Sequence, residues 1–411
     1  MISVAEASAR ILAGIQRSPS VRVSTEDSLG KVLAEPVVAG ITSPPWDNSS
    51  MDGYAVRSAD IERVTLRVVE TIAAGAFPSR ELGEGEAMRI MTGAPTPLNA
   101  DSVIRKEDTD EGLDIVTIRD LRDSAKNIRK AGEDFNKGDT LFDAGQLIGI
   151  AHLGVLAAAG VHSVNVFRSP RVAIVSSGDE LVELSDFTTE MAGTKIVSAN
   201  SVTLAAMVRE AGGEPVNIGI ASDDPESMRE KLDQAAGCDL IITSAGISVG
   251  DHDHVRSAVT DIGGTVDFWK VRMRPGAPLA FGYIHGVPWI GLSGNPVSAM
   301  VTFEIFARPA IRKMRGLQRL FRRTIAVTLG EPFKLAASLM HFLRVVITPD
   351  DGNNYVARLA GSQSSAVLTA MARANALLVL PGDRLSLDAG DRFVAIPLGD
   401  EHEAAATLVL G

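Results

Sequence analysis

Acidic side chains follow several apolar, β-branched segments in the middle of the sequence. Asp179 and Glu180 lie in VSSGDEL, Asp223 lies in IASDDPESM and Asp253 lies in TSAGISVGDHDHV. Because ligands of open α/β sheets bind beyond the carboxyl ends of the strands, we expect these loops to share one site. Their carboxylates suit Mg²⁺, a hard cation that also takes substrate oxygens. Each acid taken singly is equally explained as a helix N-cap, and that alternative stays open.

Glycine- and serine-rich turns accompany these acids. The segment 243–255 runs from TSAGIS to the acidic DHDHV, and GLSGNPVSAM (291–300) turns into a helix at Asn295 and Pro296. Backbone N–H groups of such loops and helix starts bind phosphate oxygens through hydrogen bonds and the helix dipole. The sequence therefore predicts a site for a phosphate-bearing ligand and a divalent ion.

Basic residues and two further turns carry weaker signals. FWKVRMRPGAPLAFG (268–282) places Lys270, Arg272 and Arg274 at alternate positions, so on a single strand they would share one face. That pattern predicts an anion clamp, although a solvated strand face looks the same. Thr92 in RIMTGAPTP and Asp52 in SPPWDNSSMDGYAV lie in turn-forming sequence, and each is either only a turn residue or a polar group presented to a ligand.

Composition excludes several classes of protein. With 45% hydrophobic and 22% charged residues, the 411-residue chain is typical of a globular protein of several domains. Its net charge of −11 argues against a broad nucleic-acid-binding face. The single cysteine, Cys238, excludes an internal disulfide framework, and a zinc site at His252 and His254 is the less favoured interpretation of DHDH. P-loop, dinucleotide-binding and nucleophile-elbow motifs are absent from the sequence.

The N-terminus predicts an amphipathic helix rather than a targeting segment. MISVAEASARILAGIQ lacks the basic and apolar regions of a secretory signal. No uncharged apolar run approaches the roughly 18 residues of a membrane span. We therefore expect no membrane span and a cytoplasmic protein.

The elements that must position these residues change character along the chain. Short β-type segments at 47–135 predict a small all-β module. Residues 145–161 predict a helix that packs against the N-terminal helix, which would make the β module an insertion between the two. From Arg171 onward, strand–loop–helix alternation predicts a doubly wound α/β domain. The β-rich segments after residue 316 predict a terminal barrel or sandwich.

Several stretches, taken in order, resemble one family. They are PPWDNSSMDGYAV, RIMTGAPTP, AGEDFNKGD, VAIVSSGDEL, SAGISVGDHD, MRPGAPLAFG and LSGNPVSA. They are similar to the molybdopterin molybdenumtransferases, the MoeA-type enzymes of molybdenum-cofactor synthesis, to which the E domain of gephyrin is related. The resemblance implies that molybdate is inserted into adenylylated molybdopterin with release of AMP, and that Mg²⁺ is the divalent cofactor.

The resemblance also implies a multidomain α/β plus β fold. Its parts are a helical and extended dimerisation domain at 1–46 and 136–168, an inserted β domain at 47–135, an α/β molybdopterin-binding domain with a doubly wound sheet at 169–318 and a C-terminal β barrel at 319–411. The implied assembly is a homodimer whose active site is shared between subunits, the β domain of one covering the α/β domain of the other.

Site residues follow from the resemblance motif by motif. Catalytic roles are implied for Asp52, Asp134, Glu180, Asp223 and Asp253, of which Glu180 and Asp253 are also the implied metal ligands. Substrate-binding roles are implied for Thr92, Ser248, Gly250, Lys270, Arg274, Ser293, Gly294 and Asn295. Asp52, Thr92 and Asp134 would reach the site from the partner subunit.

The sequence departs from the family pattern at ligand-holding positions. They are Ala245 in the SGGVSVG pattern, Arg274 and Ala277 in KPGKP, and Ser293 in LPGNP. Of the C-terminal pattern GRxDFxRG, Phe342 and Arg344 remain in MHFLRV. These departures support a second hypothesis, a catalytically weakened, gephyrin-like dimeric scaffold that binds a partner protein through its C-terminal domains.

Overall fold

The computed structural model describes residues 1–244, 254–335, 337–350 and 354–399. The chain divides into two compact units, one formed by Met1–Val21 with Phe167–Gly411 and the other by Arg22–Val166. The α-helices of the described residues are α1 Val4–Gly14, α2 Ile150–Ala158, α3 Ala199–Glu210, α4 Pro225–Gln234, α5 His254–Asp261, α6 Pro296–Thr302, α7 Arg308–Met314 and α8 Leu368–Arg373. A π-helical segment, Phe303–Ala307, connects α6 to α7.

A small β sheet forms the core of the unit Arg22–Val166. The first strands of the chain are β1 Ser20–Ser24, β2 Val37–Val38, β3 Asn48–Ser49, β4 Gly53–Val56, β5 Thr65–Ile72, β6 Glu86–Ile90, β7 Ser102–Arg105, β8 Ile115–Thr117, β9 Ile128–Arg129, β10 Thr140–Phe142 and β11 Ser163–Phe167. Five of them form a sheet in the order β7-β4-β6-β5-β8, with β4 antiparallel to both neighbours. Tyr54 and Val56 of β4 enter one buried apolar cluster and Ala55 enters another, as the two-residue period of a strand requires.

A six-stranded mixed sheet forms the centre of the other unit. The strands of this region are β12 Arg171–Ser177, β13 Leu181–Val182, β14 Ile196–Val197, β15 Glu214–Ala221, β16 Leu240–Ser244, β17 Thr265–Lys270, β18 Met273–Arg274, β19 Pro278–Ile284 and β20 Val287–Leu292. The sheet order is β15-β12-β16-β20-β19-β17. Strands β15, β12, β16 and β20 are parallel, and β19 and β17 continue the sheet in antiparallel pairing.

Both faces of this sheet are buried, as continuous apolar strands predict. Val172 and Ile174 pack in a cluster with residues of α3, α6 and α7, whereas Ala173 and Val175 pack with residues of α4 and α5. Helices therefore cover the sheet on both sides, and the doubly wound α/β domain predicted from the sequence is confirmed.

The first helix belongs to the same α/β core. Ser3 caps α1 by accepting a hydrogen bond from the backbone N–H of Glu6. Ala7, Ile11 and Ile15, spaced four apart along one face, are buried in the cluster of the α/β sheet. The expected packing of this helix against the segment 145–161 is wrong, because the α/β core takes its apolar face. The domain boundaries expected from the sequence stay a prediction.

A closed β barrel follows the α/β region. Its segments are β21 Ile325–Leu329, β22 Phe333–Lys334, β23 Met340–Pro349, β24 Tyr355–Leu359, β25 Ala376–Leu380, β26 Ser386–Leu387 and β27 Arg392–Pro397. Strands β23, β24, β21, β27 and β25 pair in that order, and β25 pairs with β23 to close the circle. The short strand β18 pairs in parallel with β23, which places Arg274 beside His341.

Among the residues that the structure describes, no helix combines the length and the apolar character needed to cross a bilayer.

Candidate active site

The Asp52 carboxylate is held at the turn that leads into β4. Its Oδ1 accepts hydrogen bonds from the backbone N–H of Thr92 at 2.8 Å and from the Thr92 hydroxyl at 2.7 Å. The backbone bond has the largest effect on the pKa of Asp52, which it lowers, and the hydroxyl bond lowers it further. The nearby charges of Lys106 and Arg89 act in the same direction. Asp52 is therefore an anion at neutral pH, and two residues that the sequence placed in separate motifs form one polar group.

Gly53 explains why the turn carries its Asp-Gly pair. A Cβ at this position would lie 1.9 Å from the Ile104 carbonyl oxygen of β7, which no side chain tolerates. Glycine thus allows β4 and β7 to approach, and Asp52 lies at the end of that close pairing. Asp134 lies on the exposed surface of the same unit, where its backbone N–H donates to the Ser43 carbonyl. Within the described residues it has no hydrogen bond to Asp52 or Thr92.

In the α/β region, two acidic loops at the carboxyl ends of β12 and β15 are joined directly. The backbone N–H of Asp223 donates to Asp179 Oδ1 at 3.0 Å, and the N–H of Asp179 approaches Asp223 Oδ2 at 3.5 Å. Lys195 donates to the Asp179 carbonyl. Asp224 is a helix N-cap, the structural role that stayed open for such acids. Its carboxylate caps α4 by accepting a hydrogen bond from the Ser227 N–H at 3.0 Å.

Glu180 is exposed beside this pair of loops. Gly178 has a φ of +145°, and a Cβ there would lie 2.6 Å from Glu180 Oε2, so glycine leaves room for the carboxylate to fold over the loop. The structure therefore brings Asp179, Glu180 and Asp223 to one edge of the parallel sheet. Asp179 was visible in the sequence beside Glu180 but was not assigned a role.

The carboxylates at this edge are candidate metal ligands. In the described parts of the chain, no group of three or more His, Cys, Asp or Glu side chains lies close enough to hold a metal ion. Mg²⁺ does not need such a cage, since it is usually held by one or two carboxylates together with waters and substrate phosphates. The exposed oxygens of Glu180 and its neighbours fit that kind of site. The predicted second ligand, Asp253, lies outside the described residues.

A cleft of about 600 Å³ lies beside the paired strands β18 and β23. Three predicted substrate-binding residues line it, namely Arg274, Ser293 and Asn295. Other lining residues come from the barrel and were not assigned from the sequence: Lys334, His341, Arg344, Gln363, Ser364 and Ser365. Arg274, Lys334 and Arg344 are cations, and none of the described residues that line the cleft is a carboxylate. The cleft is therefore suited to an anionic ligand.

Arg344 is the most deeply buried cation of the cleft, with 1% of its surface exposed. Its Nη2 donates to the carbonyls of Ser362 at 3.2 Å and Ser364 at 3.0 Å. Its buried Nε has no hydrogen-bond partner among the described residues. Burial lowers the pKa of Arg344, but a guanidinium remains charged at neutral pH. An unpaired buried cation with a spare donor is costly unless a ligand supplies an anion.

The backbone around the cleft is fixed by close packing. Gly276, after the Arg274-Pro275 step, has a φ of +93°, and a Cβ there would meet Thr302 Cγ2 at 2.3 Å. The MRPGAP turn can therefore lie directly on α6. The N–H of Val297 in α6 donates to the Ser365 carbonyl at 3.3 Å, which connects the helix to the barrel loop that also holds Arg344.

Other predicted site residues lie elsewhere. Lys270, Arg272 and Arg274 do not share one strand, because β17 ends at Lys270 and β18 begins at Met273. Of the three, only Arg274 lines the cleft. The prediction that all three form an anion clamp on one strand face is therefore wrong. The Gly294 carbonyl accepts from Asn200 Nδ2 at 2.8 Å. Ser248, Gly250 and the altered position Ala245 lie outside the described residues.

Comparison with known proteins gives matches along the whole chain. Residues 2–160 match the family model described as "MoeA N-terminal region (domain I and II)". Residues 173–313 match "Probable molybdopterin binding domain", and residues 326–398 match "MoeA C-terminal region (domain IV)".

Individual relatives agree with these matches. A Staphylococcus aureus (strain COL) protein named molybdopterin molybdenumtransferase is 34% identical over 416 residues, covering 100% of this chain and 98% of its own. A Mycobacterium tuberculosis (strain CDC 1551 / Oshkosh) protein named molybdopterin molybdenumtransferase 2 is 37% identical over 399 residues, covering 93% and 96%. The crystal structure of the molybdopterin biosynthesis moeA protein from Pyrococcus horikosii superposes with a TM-score of 0.81 at 29% identity, covering 97% of this chain and 99% of that one.

The fold and the matches define the class of protein as a multidomain protein organised around an α/β domain of the molybdopterin-binding type. The chain belongs to the MoeA family. Both the family resemblance and the fold class expected from the sequence are confirmed.

Proposed function

We propose that this protein acts in molybdenum-cofactor biosynthesis as a molybdopterin molybdenumtransferase, inserting molybdate into adenylylated molybdopterin with release of AMP. The names of its full-length relatives support this activity. None of the relatives reported above is named as a scaffold, and no feature of the described residues favours that alternative.

The observation that carries the proposal is the cationic cleft. Molybdate is a tetrahedral dianion, and Arg274, Lys334 and Arg344 line the cleft without a lining carboxylate among the described residues. Guanidinium groups donate in a rigid fork that suits oxyanions, and the unpartnered Nε of Arg344 is one such donor. Ser293 and Asn295 add neutral donors from the loop before α6. We assign molybdate to this cleft.

The acidic edge of the parallel sheet is assigned to the other substrate. Glu180 and Asp223, together with the predicted residues Ser248, Gly250 and Asp253, would face the pyrophosphate of adenylylated molybdopterin. Mg²⁺ held by Glu180 and Asp253 would neutralise charge on the phosphate oxygens. Backbone N–H groups of the loops would hold the same oxygens by hydrogen bonds. Lys270 and Gly294 stay predicted substrate contacts.

We further propose a homodimer whose subunits share the site. In the unit Arg22–Val166, Leu29, Leu147 and Ile150 expose 53%, 48% and 81% of their surfaces. The Gly30 N–H donates to the Ile148 carbonyl, so their segments are neighbours, which supports an apolar contact surface there. Asp52, Thr92 and Asp134 of one subunit would then face the α/β domain of the partner. The domain boundaries and the cytoplasmic location remain predictions.

The activity is tested with purified protein, adenylylated molybdopterin, molybdate and Mg²⁺. We expect AMP release and formation of active cofactor, both abolished by a chelator and restored by Mg²⁺. Absence of AMP release with all components present contradicts the proposed function. Sedimentation analysis tests the dimer separately, since a monomer at assay concentration contradicts the shared site.

A further inference from the structure

His341 is a buried titratable side chain in the wall of the cleft. It is 4% exposed, lies on β23 and pairs in register with Arg274 of β18 and Leu380 of β25. Histidine is the side chain whose ordinary charge change falls nearest to neutral pH. A change of its charge inside the cleft therefore acts directly on any bound anion.

The charged residues that line the cleft with His341 are all cations. Arg274 lies on the neighbouring strand β18, Lys334 lies on β22 and Arg344 lies on the strand of His341 itself. Its neighbour in β25, Leu380, is uncharged, and the lining residues from α6 and the 363–365 loop are neutral. None of the charged residues that line the cleft stabilises an imidazolium, because all of them are cations. An anion in the cleft would do so.

The hydrogen bond of the ring fixes its tautomer. His341 Nε2 lies 3.0 Å from the Ala337 carbonyl oxygen, which can only accept, so Nε2 carries a hydrogen. In the neutral ring, Nδ1 then has a lone pair, which repels an oxyanion. Protonation converts Nδ1 into an N–H donor and adds a positive charge. Burial, followed by the charge of Arg274, lowers the pKa of His341, while the Ala337 bond opposes this, so the ring is neutral at neutral pH.

We propose that His341 is an oxyanion-binding residue whose protonation is coupled to occupancy of the cleft. The inference rests on the proposed function of the cleft as the molybdate site. An anion in the cleft favours the imidazolium, and by linkage the imidazolium favours the anion. The affinity for molybdate therefore rises as the pH falls through the range in which His341 titrates, and one proton is taken up with the anion.

The test is calorimetric binding of molybdate to the full chain between about pH 8 and about pH 5.5. A nearby opposite charge shifts a pKa by roughly one unit or more, so we expect binding to tighten progressively towards the acid end, by up to about tenfold. Sulfate is measured in parallel, because it does not protonate in this range and separates protonation of His341 from protonation of the ligand. H341Q, whose amide does not titrate, should bind both anions with little pH dependence.

H285Q is the matched control, since His285 is a surface histidine of the same unit paired with Asp233. The affinity of H285Q for both anions should depend on pH as that of the wild type does. A pH-independent wild-type affinity, or a pH dependence retained by H341Q, overturns the inference. If the wild type binds neither anion at any pH, the proposed function of the cleft fails as well, and this outcome is distinct from the first two.

Titration of the histidine side chains by NMR gives a second measurement that needs no stable H341Q. The wild-type protein is labelled with ¹⁵N-histidine and titrated with and without sulfate. One buried imidazole should titrate at higher pH when sulfate is present, and its Nε2 should stay protonated throughout. No sulfate-dependent change in any histidine pKa, in a protein that binds sulfate, overturns the inference.

Discussion

The carboxylate of Asp52 and the guanidinium of Arg344 are held by their surroundings in opposite ways. Asp52 is partly exposed and accepts two hydrogen bonds from a single residue, Thr92. Arg344 is buried, donates to two carbonyls of one loop and keeps a donor without a partner among the described residues. The carboxylate is partly exposed and bonded through one oxygen, whereas the guanidinium is buried with one donor unpaired among the described residues.

This difference separates two kinds of site residue. A partly exposed anion with two hydrogen bonds costs little to maintain, so its removal should affect chemistry more than the fold. A buried cation with a spare donor is costly to maintain, and a ligand offsets that cost. We therefore expect variants of the cleft to change binding and variants of the Asp52 turn to change turnover.

Arg344→Met should have the largest effect, because it removes the buried charge and its spare donor. We expect molybdate affinity to fall more than about a hundredfold, the scale of a charged hydrogen bond. Stability should fall by about 1–3 kcal/mol, since relief of charge burial offsets part of the two lost hydrogen bonds. Calorimetry and urea unfolding measure the two quantities. Arg358→Met, an exposed arginine of the same barrel, is the control, and unchanged affinity in Arg344→Met would remove molybdate from this cleft.

Asp52→Asn should reduce turnover rather than binding. We expect AMP release to slow at least about a hundredfold, the scale of a positioned acid or base, while molybdate affinity stays within about twofold. Asp110→Asn is the matched control, since Asp110 is also exposed and accepts backbone N–H bonds from Gly112 and Thr117. An equal loss of activity in both variants would mean that the Asp52 effect is structural.

Arg274→Ala sharpens the comparison within the cleft, because Arg274 is exposed whereas Arg344 is buried. We expect molybdate affinity to fall about tenfold and stability to change by less than about 0.5 kcal/mol. Arg272→Ala removes an exposed arginine two positions away that does not line the cleft. The two variants should differ in molybdate affinity measured by calorimetry. Equal affinities would exclude a direct contact between Arg274 and molybdate.

Thr92→Val should have the smallest effect. It removes the hydroxyl bond to Asp52 but keeps the backbone bond, so the pKa of Asp52 should move part of the way back towards 3.8. Because the folded pKa lies below that value, ionised Asp52 stabilises the fold above pH 3.8, and this is lost as the pH falls through the folded pKa. The variant should therefore lose less stability than the wild type upon acidification below pH 3.8. Acid unfolding measures this, and Thr92→Ser should behave as the wild type.

The Asp52 turn was accessible from the sequence because its determinants are local. MDGYAV and MTGAP are short motifs of adjacent strands, and glycine at position 53 is required by the close approach of β7. The same holds for the acidic loops, since each follows its strand directly in sequence. Strand periodicity and turn chemistry were sufficient to place these residues at strand ends.

The cleft was not accessible in the same way. It depends on the pairing of β18 with β23, two strands far apart in sequence, and on a strand break after Lys270 that alternation did not reveal. One signal was present in MHFLRVVITP. His341 and Arg344 are the two ionisable residues of a mainly apolar strand, and a buried polar residue requires a partner or a ligand.

The place of α1 in the α/β core has a consequence for how the chain is made. Lys313 donates to the carbonyl of Leu12, a contact between residues 301 positions apart. At the usual rates of synthesis, about 15 to 60 seconds separate the emergence of these two residues from the ribosome. The whole unit Arg22–Val166 is completed in that interval. The nascent chain must therefore keep the apolar face of its first helix from aggregating while a later-made domain provides its binding surface.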